Sequence, residues 1–370
     1  MKKYLTKIET EKLLSIVDLS NDKNGTHSIN LILNEIKSNL SKLGIPINMI
    51  SDSPITTSEK NYDMLYYPKN DITRNSVYTK WISETNMLRT HTTSMVCDKL
   101  IEMSNGVIDD EIMLLHGLVY RRDVIDKTHV SEPHQLDIWR LSKDIKHTRE
   151  NLLELVKTVI DSILPNVNWR YTETNHHYTQ NGIEVEVEVN NEWMEILECG
   201  EILPQLLEDC GIDSKSHSGL ALGIGLDRAV MIKKGISDIR VLRSDNTKIQ
   251  KQMLDLNPYK EISKYNTVNR DLSICILEEY DDEVLGDLIR KLDLDLDLIE
   301  EIKIKQEWLY NELPDNVKEK LGITKGYKNI LMSITLSSLE KELNKKECND
   351  VYNIIYENIN MCDNVYIIKE

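Results

Sequence analysis

Gly117–Asp137, GLVYRRDVIDKTHVSEPHQLD, and Gly219–Arg228, GLALGIGLDR, decide how the rest of this chain is read. The first stretch ends a strand-like run in a double arginine and returns, after a polar loop, as His-Gln. The second is a Gly-x-Gly-Leu-Asp-Arg turn running into a helix. An arginine from each, converging on one pocket, suits a nucleoside triphosphate lying across an antiparallel sheet. Guanidinium forks match phosphate oxygens, so Arg121 is expected at the α-phosphate and Arg228 at the γ-phosphate. The expectation is a nucleotidyl-transfer site.

Outward from these stretches, residues 1–45 read as helical, with apolar positions through Ile29, Leu31, Ile32, Leu33, Ile36 and Leu40. Gly44-Ile45-Pro46 stops that helix. Short strands are expected at Tyr62–Tyr67 and Asn86–Thr90, strand–loop–strand over 107–141, and a helix over 143–164 ending before Pro165. The alternation Ile183-Glu-Val-Glu-Val-Glu-Val189 predicts a strand, paired through a tight Asn190-Asn191 turn with Glu192–Cys199. A helix over 200–210 precedes the motif-bearing strand and helix at 219–234. A boundary falls near 248–262, giving a first domain over 1–250 and a second over 259–370. The second reads strand (269–277), helix (282–292), strand (299–309), strand (328–337), helix (344–359), strand (364–369), a ferredoxin-like βαββαβ order. The fold class expected is α+β.

Composition bounds the function. The chain has 370 residues, 40% hydrophobic and 29% charged, as an ordinary globular protein does. No apolar run reaches membrane-spanning length, and MKKYLTKIETEKLL lacks a signal-peptide core. Cysteines at 97, 199, 210, 275, 348 and 362 show no CxxC spacing and read as reduced thiols, so a cytoplasmic location is expected. A net charge of −17 disfavours a broad grip on polyanions, so any nucleic-acid contact needs a local basic face. The chain has no phenylalanine but 16 tyrosines; ordinary usage predicts roughly a dozen phenylalanines in this length.

The motifs MLRTHTTSM (87–95), VYRRDVIDKTH with HQLD (119–137), EWMEILECG (192–200) and GLALGIGLDR (219–228) resemble the signatures of phenylalanyl-tRNA synthetase, a class II synthetase. YKEISKYNTVNRDLSI (259–274) resembles the start of its ferredoxin-like anticodon-binding domain. Both in one chain is similar to the monomeric, organellar-type enzyme, and the resemblance covers about residues 25–370 in one order. It implies a class II antiparallel sheet flanked by helices, ATP and Mg²⁺ as cofactors, and an amino acid and tRNA as partners. The implied reaction forms an aminoacyl-adenylate and then charges the tRNA 3′ end, helped by positioning and positive charge.

Carried over by motif, His91, Thr93 and Gln135 would hold the amino end of the substrate. Arg121 and His129 would face the α-phosphate, Asp123 the adenine or amino end, and Arg228 the γ-phosphate, making Arg121, His129 and Arg228 the catalytic set. Glu195 stands where an ATP- or metal-facing acid is expected, with Glu186 as a second magnesium ligand. Cys199 and Ala221 would line the amino-acid pocket, and Lys264 and Arg270 would touch tRNA. A monomer is implied, and a homodimer stays open.

The departures are as informative. The Phe-Pro-Phe-Thr pocket wall of the family is His176-His177-Tyr178-Thr179 here, so His176, Tyr178 and Thr179 are expected to line the amino-acid pocket. Pro133 replaces the aromatic that stacks on adenine, Leu222 replaces the phenylalanine of Ala-Phe-Gly, and Glu198 stands for the first glycine of Gly-Cys-Gly. Val96 stands for a glutamine. Bland readings accompany each residue: a solvated face for Arg121-Arg122, a strand cap for His91, a loop pair for His176-His177, and a solvated strand face for Glu184, Glu186 and Glu188. The acid-rich stretch 278–315 suits a solvated face and argues against an RNA grip there. Three functions remain open on the sequence. One is a phenylalanine–tRNA ligase acting as a backup or inhibitor-resistance enzyme, translatable when charged phenylalanine tRNA is scarce. The second is a ligase for a more polar or non-protein amino acid, and the third a degenerate tRNA-binding or regulatory paralogue.

Overall fold

The computed structural model describes residues 3–174, 176–262 and 265–361. They fall into two units, one of 1–121, 132–236 and 251–259, the other of 122–131, 237–250 and 260–370.

In the first unit the helical reading of 1–45 resolves into two helices. α1 (Lys7–Leu14) starts at a Thr6–Glu9 capping box. α2 (Ser28–Ser41) buries Ile29, Ile32, Leu33, Ile36 and Leu40, the i, i+3, i+4, i+7 stripe that packs a helix on one side. Between them Gly25 takes φ +101°, which breaks the helix. β1 (Ile47–Ile50) follows, then β2 (Ile55–Thr57) and β3 (Asn86–Leu88), which pair with each other. The strand expected at 62–67 is absent. α3 (Ser58–Asn61) runs instead into a 3₁₀ turn at 63–65 that ends with Tyr66 at φ +63°. Tyr62 and Leu65, three apart, are the buried pair there, which is helical spacing and not strand spacing.

The remaining elements of this unit are α4 (Val96–Ser104), β4 (Asp110–Leu118), β5 (His134–Lys143), α5 (Arg149–Ile163), β6 (Trp169–Glu173), β7 (Thr179–Val189), β8 (Glu192–Ile202), α6 (Pro204–Asp209), β9 (His217–Gly225) and α7 (Leu226–Lys234). Seven strands form one sheet in the order β1-β4-β5-β9-β8-β7-β6. Only β1 and β4 run parallel; every other pairing is antiparallel. The β7–β8 turn places Asn190 at φ +53° and Asn191 at φ +65°, the two left-handed residues of a type I′ turn, whose twist matches the strands. One face of the sheet carries Leu136, Ile138, Leu220, Leu222 and Ile224, all at most 1% exposed, under the layer of α2, α5 and α7. The other face is apolar at one end, where Met113, Leu115, Trp139 and Ala221 pack with residues of α4 and α6. Beyond Trp139 that face opens.

In the second unit, β10 (Val268–Leu277), β11 (Ile299–Leu309) and β12 (Tyr327–Leu336) form an antiparallel sheet in the order β10-β12-β11. A short helix α8 (Thr247–Gln252) ends its 237–250 segment. α9 (Asp282–Ile289) and α11 (Lys345–Ile359) supply Leu285, Ile289, Val351 and Ile355 to a core with Ile274, Ile276, Met332 and Ile334. α10 (Asp315–Leu321), between β11 and β12, is an addition to the expected order. The strand expected at 364–369 lies outside the described residues. The segment 122–131 belongs to this unit through specific contacts. Arg290 donates to the carbonyls of Asp123 (2.5 Å) and Val124 (2.7 Å), Arg122 pairs with Asp287 at 3.3 Å, and Lys127 with Glu300 at 2.7 Å.

Candidate active site

The open face of the seven-stranded sheet is built by register. β5 and β9 oppose Gln135 to Gly225, Asp137 to Gly223 and Trp139 to Ala221. β8 continues the rows with Glu198 opposite Gly223 and Gly200 opposite Ala221. Directly opposed residues project to the same face. In Gly219-Leu-Ala-Leu-Gly-Ile-Gly225 every second residue is therefore small, and the open face has a floor of backbone where Leu220, Leu222 and Ile224 fill the other side. Added bulk is crowded at two of these positions, since a Cβ on Gly200 would lie 2.9 Å from the Thr179 Cβ and one on Gly223 3.3 Å from an Asp137 oxygen, while one on Gly225 would meet open space.

The segment after β3 is fixed over this floor by Arg89, which is 2% exposed. Its Nε donates to the Leu118 carbonyl at 2.7 Å and Nη1 to the Asp52 carbonyl at 3.1 Å. The guanidinium occupies the space a side chain at Gly117 would need, with a Cβ there 2.2 Å from Arg89 Nη2 and the backbone at φ +144°. Asn61 bonds both Thr90 Oγ1 and the Thr90 N–H, so the next residues leave the strand at a set angle. Thr92 and Thr93 then donate their hydroxyls to the Asp137 carboxylate, Thr93 at 3.1 Å. Arg121 spans the same two segments, donating from Nε to the Thr90 carbonyl at 3.1 Å and from Nη2 to Gln135 Oε1 at 3.0 Å.

Asp137, buried at 2% exposure, is the strongest electrostatic feature of the site, and sequence reading passed over it although it lies two residues from Gln135. Burial pushes its carboxyl from the ordinary 3.8 up to about 6, against the opposing pull of the Thr92 and Thr93 bonds and the Arg121 charge. His91 beside it is held neutral. Burial, then the Arg121 charge, drives its imidazole down to about 3. Both ring nitrogens of His91, the Ser94 and Thr179 hydroxyls and His176 Nε2 are buried without a hydrogen-bond partner among the described residues. Buried polar atoms left open in one place mark where a polar ligand would complete the bonding.

Aromatic rings line this space. Tyr178 stacks on Trp139 (centroids 5.8 Å, 23°) and His176 on Tyr178 (6.0 Å, 28°). Tyr67 stacks on His91 (5.8 Å, 14°) and meets His177 edge-on at 4.7 Å. His177 falls within the expected wall His176–Thr179, whereas Tyr67 was not expected there; the left-handed turn at Tyr66 is what swings Tyr67 inward, and no local pattern announces it.

The outer end of the face is charged. β8 has one extra residue, Ile196, against β7, since Leu197 opposes Val185 and Glu195 opposes Glu186. The bulge keeps Glu195 on the same face as Glu198, Glu184 and Glu186. Arg228, at the start of α7, reaches back to donate to the Glu195 carbonyl at 3.1 Å, with Glu195 Oε2 at 3.5 Å. Glu186 bonds Arg170 at 2.6 Å. No group of three or more metal-ligating side chains is found among the described residues.

The structure thus brings His91, Thr93, Arg121, Gln135, His176, Tyr178, Thr179, Glu186, Glu195 and Ala221 to one face, with Arg228 at its edge. It does not bring Cys199: opposed to Ile183 and Leu222, that residue points to the helix-covered face, one residue out of phase with Glu198 and Gly200. Pro133 accepts the Val119 N–H through its carbonyl at the mouth of β5. Asp123 and His129 belong to the second unit, where His129 Nδ1 meets Asp126 at 2.8 Å. Arg270 lies on β10 of that unit, and Lys264 is outside the described residues. His134 and Asp227, inside the two decisive motifs, are structural. Asp227 accepts the His134 backbone N–H at 2.5 Å, and the buried ring accepts the Leu19 N–H through Nε2 at 3.0 Å, fixing the proton on Nδ1 toward Asp227. β5 and α7 are locked together by that pair.

Residues 15–253 match the family model described as tRNA synthetases class II core domain (F). The chain is 24% identical to the probable mitochondrial phenylalanine–tRNA ligase of Drosophila melanogaster over 93% of its own length and 85% of that protein's. It is 32% identical to the phenylalanine–tRNA ligase alpha subunit of Buchnera aphidicola subsp. Baizongia pistaciae over 67% of this chain and 74% of that one. It is 25% identical to the chloroplastic/mitochondrial phenylalanine–tRNA ligase of Arabidopsis thaliana over 83% of this chain and 70% of that one. A sheet of this order, its two arginine-bearing motifs on one face and a model match over residues 15–253 have one reading: the chain belongs to the class II tRNA synthetases, in the family of the core domain (F).

Proposed function

We propose that this synthetase activates phenylalanine with ATP and transfers it to tRNA(Phe). Asp137 carries the proposal: a buried carboxylate beside Gln135 and Arg121, at the polar end of an aromatic-walled recess over a glycine floor. An α-amino acid with an apolar ring matches that arrangement end to end. Its ammonium pairs with Asp137 and Gln135, its ring lies along Tyr178 and His176, and Ala221 closes the bottom. A carboxylate oxygen of the amino acid attacks the α-phosphorus of ATP and pyrophosphate leaves. A terminal ribose hydroxyl of the tRNA then attacks the acyl carbon and AMP leaves. Arg121 stabilises charge at the α-phosphate and Arg228 at the γ-phosphate.

Class II synthetases use ATP with a divalent cation. We assign magnesium, held by Glu195 and Glu186. Magnesium is bound by one or two carboxylates plus substrate phosphates, so two facing glutamates fit it without a third protein ligand. Its chemistry when bound is to neutralise phosphate charge. Lys264 and Arg270 serve tRNA in this reading. The chain acts as a monomer, as a sequence alignable with single-chain organellar ligases over most of its length suggests. The free thiols of Cys97, Cys199, Cys210, Cys275 and Cys348 suit a reducing compartment, the cytoplasm.

ATP–pyrophosphate exchange against the amino acids tests the reading. Exchange selective for phenylalanine, followed by aminoacylation of tRNA(Phe), supports it, and exchange selective for another amino acid refutes it. The physiological proposal, a backup enzyme made when phenylalanyl-tRNA is short, fails if expression does not rescue cells whose principal enzyme is inhibited.

A further inference from the structure

Two residues at which the chain departs from the family pattern, His176 and Glu198, are 22 positions apart in sequence and adjacent in space. His176 Nε2 lies 3.4 Å from Glu198 Oε2. The imidazole is the outermost ring of the stack Trp139–Tyr178–His176, and Trp139 is fully buried while His176 has a neighbour ring on one side only. Its Nε2 is buried and makes no hydrogen bond among the described residues, and the carboxylate facing it is that of Glu198. In its sheet row Glu198 stands between Gly223, which has no side chain, and Glu184. Tyr178, the middle ring, has its own polar partner in Thr93.

We propose that Glu198 is a positioning residue for the amino-acid pocket: it holds the His176 ring in the stack, so that a wall built without phenylalanine presents a fixed aromatic surface to the substrate. A glycine at 198, as the family pattern has, could not do this, and a phenylalanine at 176 would not need it. The two departures are one compensated exchange. Burial raises the Glu198 carboxyl above its ordinary range, and the facing His176 is the largest influence opposing that rise, which is the electrostatic trace of the same contact. The inference rests on the phenylalanine reading above.

The test is pyrophosphate exchange by the full chain as wild type, E198G, E198Q, H176F and E198G/H176F, varying phenylalanine and ATP separately. Removing the partner of a buried polar group costs about 1–3 kcal/mol, so E198G should raise the KM for phenylalanine about tenfold. Its kcat and its KM for ATP should stay within about twofold of wild type, the mark of lost ground-state positioning. E198Q, whose amide still reaches Nε2, should recover most of the loss. H176F leaves a carboxylate against an apolar ring and should be impaired, while the double variant should work better than either single. The proposal is overturned if the two single effects multiply in the double variant, or if E198G leaves the KM for phenylalanine unchanged. It is also overturned if E198G acts on kcat or on the KM for ATP, which would assign Glu198 to the phosphates. If wild type itself shows no exchange with phenylalanine, the substrate reading has failed. Thermal unfolding of the same proteins then decides: coupling between positions 176 and 198 supports the pair, and additivity rejects it.

Discussion

Asp137→Asn should make this protein more stable and much less active. The carboxyl is pushed from 3.8 to about 6, chiefly by burial. A raised carboxyl is one whose ionised form the fold disfavours. Above pH 6 both folded and unfolded chains are ionised, and the folded one bears the full penalty. Between 6 and 3.8 the folded chain takes up its proton first, and below 3.8 no penalty remains. The gap between 3.8 and about 6 corresponds to about 3 kcal/mol. Asparagine is nearly isosteric. With its oxygen at the Oδ2 position it keeps the bonds from Thr92 and Thr93, both of which reach that oxygen. The substitution should therefore stabilise the chain at neutral pH by up to about 3 kcal/mol, and the advantage should vanish as pH falls through 6 toward 3.8. The same change removes the countercharge for the substrate ammonium. A hydrogen bond to a charged group is worth about 1.5–3 kcal/mol, so kcat/KM for phenylalanine in exchange should fall about 10- to 100-fold. Urea unfolding across this pH range and steady-state exchange measure both sides. An Asp137→Asn protein less stable than wild type at neutral pH, with unchanged exchange, would refute the burial argument and the ammonium assignment together.

Gly117→Ala should destabilise the first unit by about 3 kcal/mol or more, since a Cβ meets Arg89 Nη2 at 2.2 Å and φ is +144°; chemical denaturation measures it, and a cost below 1 kcal/mol would show that Arg89 can move aside. Asp227→Ala strips the His134 N–H and ring of their partner and should cost about 2–4 kcal/mol, whereas Asp227→Asn, keeping an acceptor, should cost less; equal losses would mean the pair contributes only by packing. Tyr356→Phe should be neutral or stabilising by about 1 kcal/mol, because its buried hydroxyl has no hydrogen-bond partner among the described residues. Tyr62→Phe, which loses bonds to the Thr73 carbonyl and Thr79, should destabilise by a similar amount, and the two opposite shifts in melting temperature check the pair.

Local patterns carried much of this fold into view. The α2 stripe, the Glu-Val alternation of β7, the Asn190-Asn191 turn and the small-large alternation of Gly219–Gly225 each satisfy one geometric rule, and each element formed where its rule places it. Strand period also contains Asp137, which shares a face with Gln135, but the motif carried the reading no further than Gln135. Cys199 shows the opposite hazard: in a strand, one step in sequence reverses the face, and only the pairing with Leu222 and Ile183 fixes which of Glu198 and Cys199 looks into the site. Tyr67 was beyond reach because it meets His91 and His177 across loops, through contacts no periodicity encodes. At 62–67 the tyrosines imitate a strand while the backbone turns to bury Tyr62 and Leu65.

The missing phenylalanine can be weighed against these structural facts. Trp139, Trp81, Tyr62 and Tyr120 are large aromatic side chains in the core, and each buried tyrosine brings a hydroxyl that must be bonded or left at a cost. Tyr62 solves this with Thr73 and Thr79, Tyr66 with Asp209 at 2.7 Å, and Tyr178 with Thr93. Tyr356 finds no such partner among the described residues. Selection for stability alone would replace the 356 hydroxyl with hydrogen, a single-atom improvement that Tyr356→Phe is expected to reveal. The wall of the pocket follows the same logic, since His176 needs Glu198 where a phenylalanine would need nothing. The proposed backup role gives the absence of phenylalanine a source outside folding: a synthetase for phenylalanine free of phenylalanine has a message that can be read when the product of its reaction has run out.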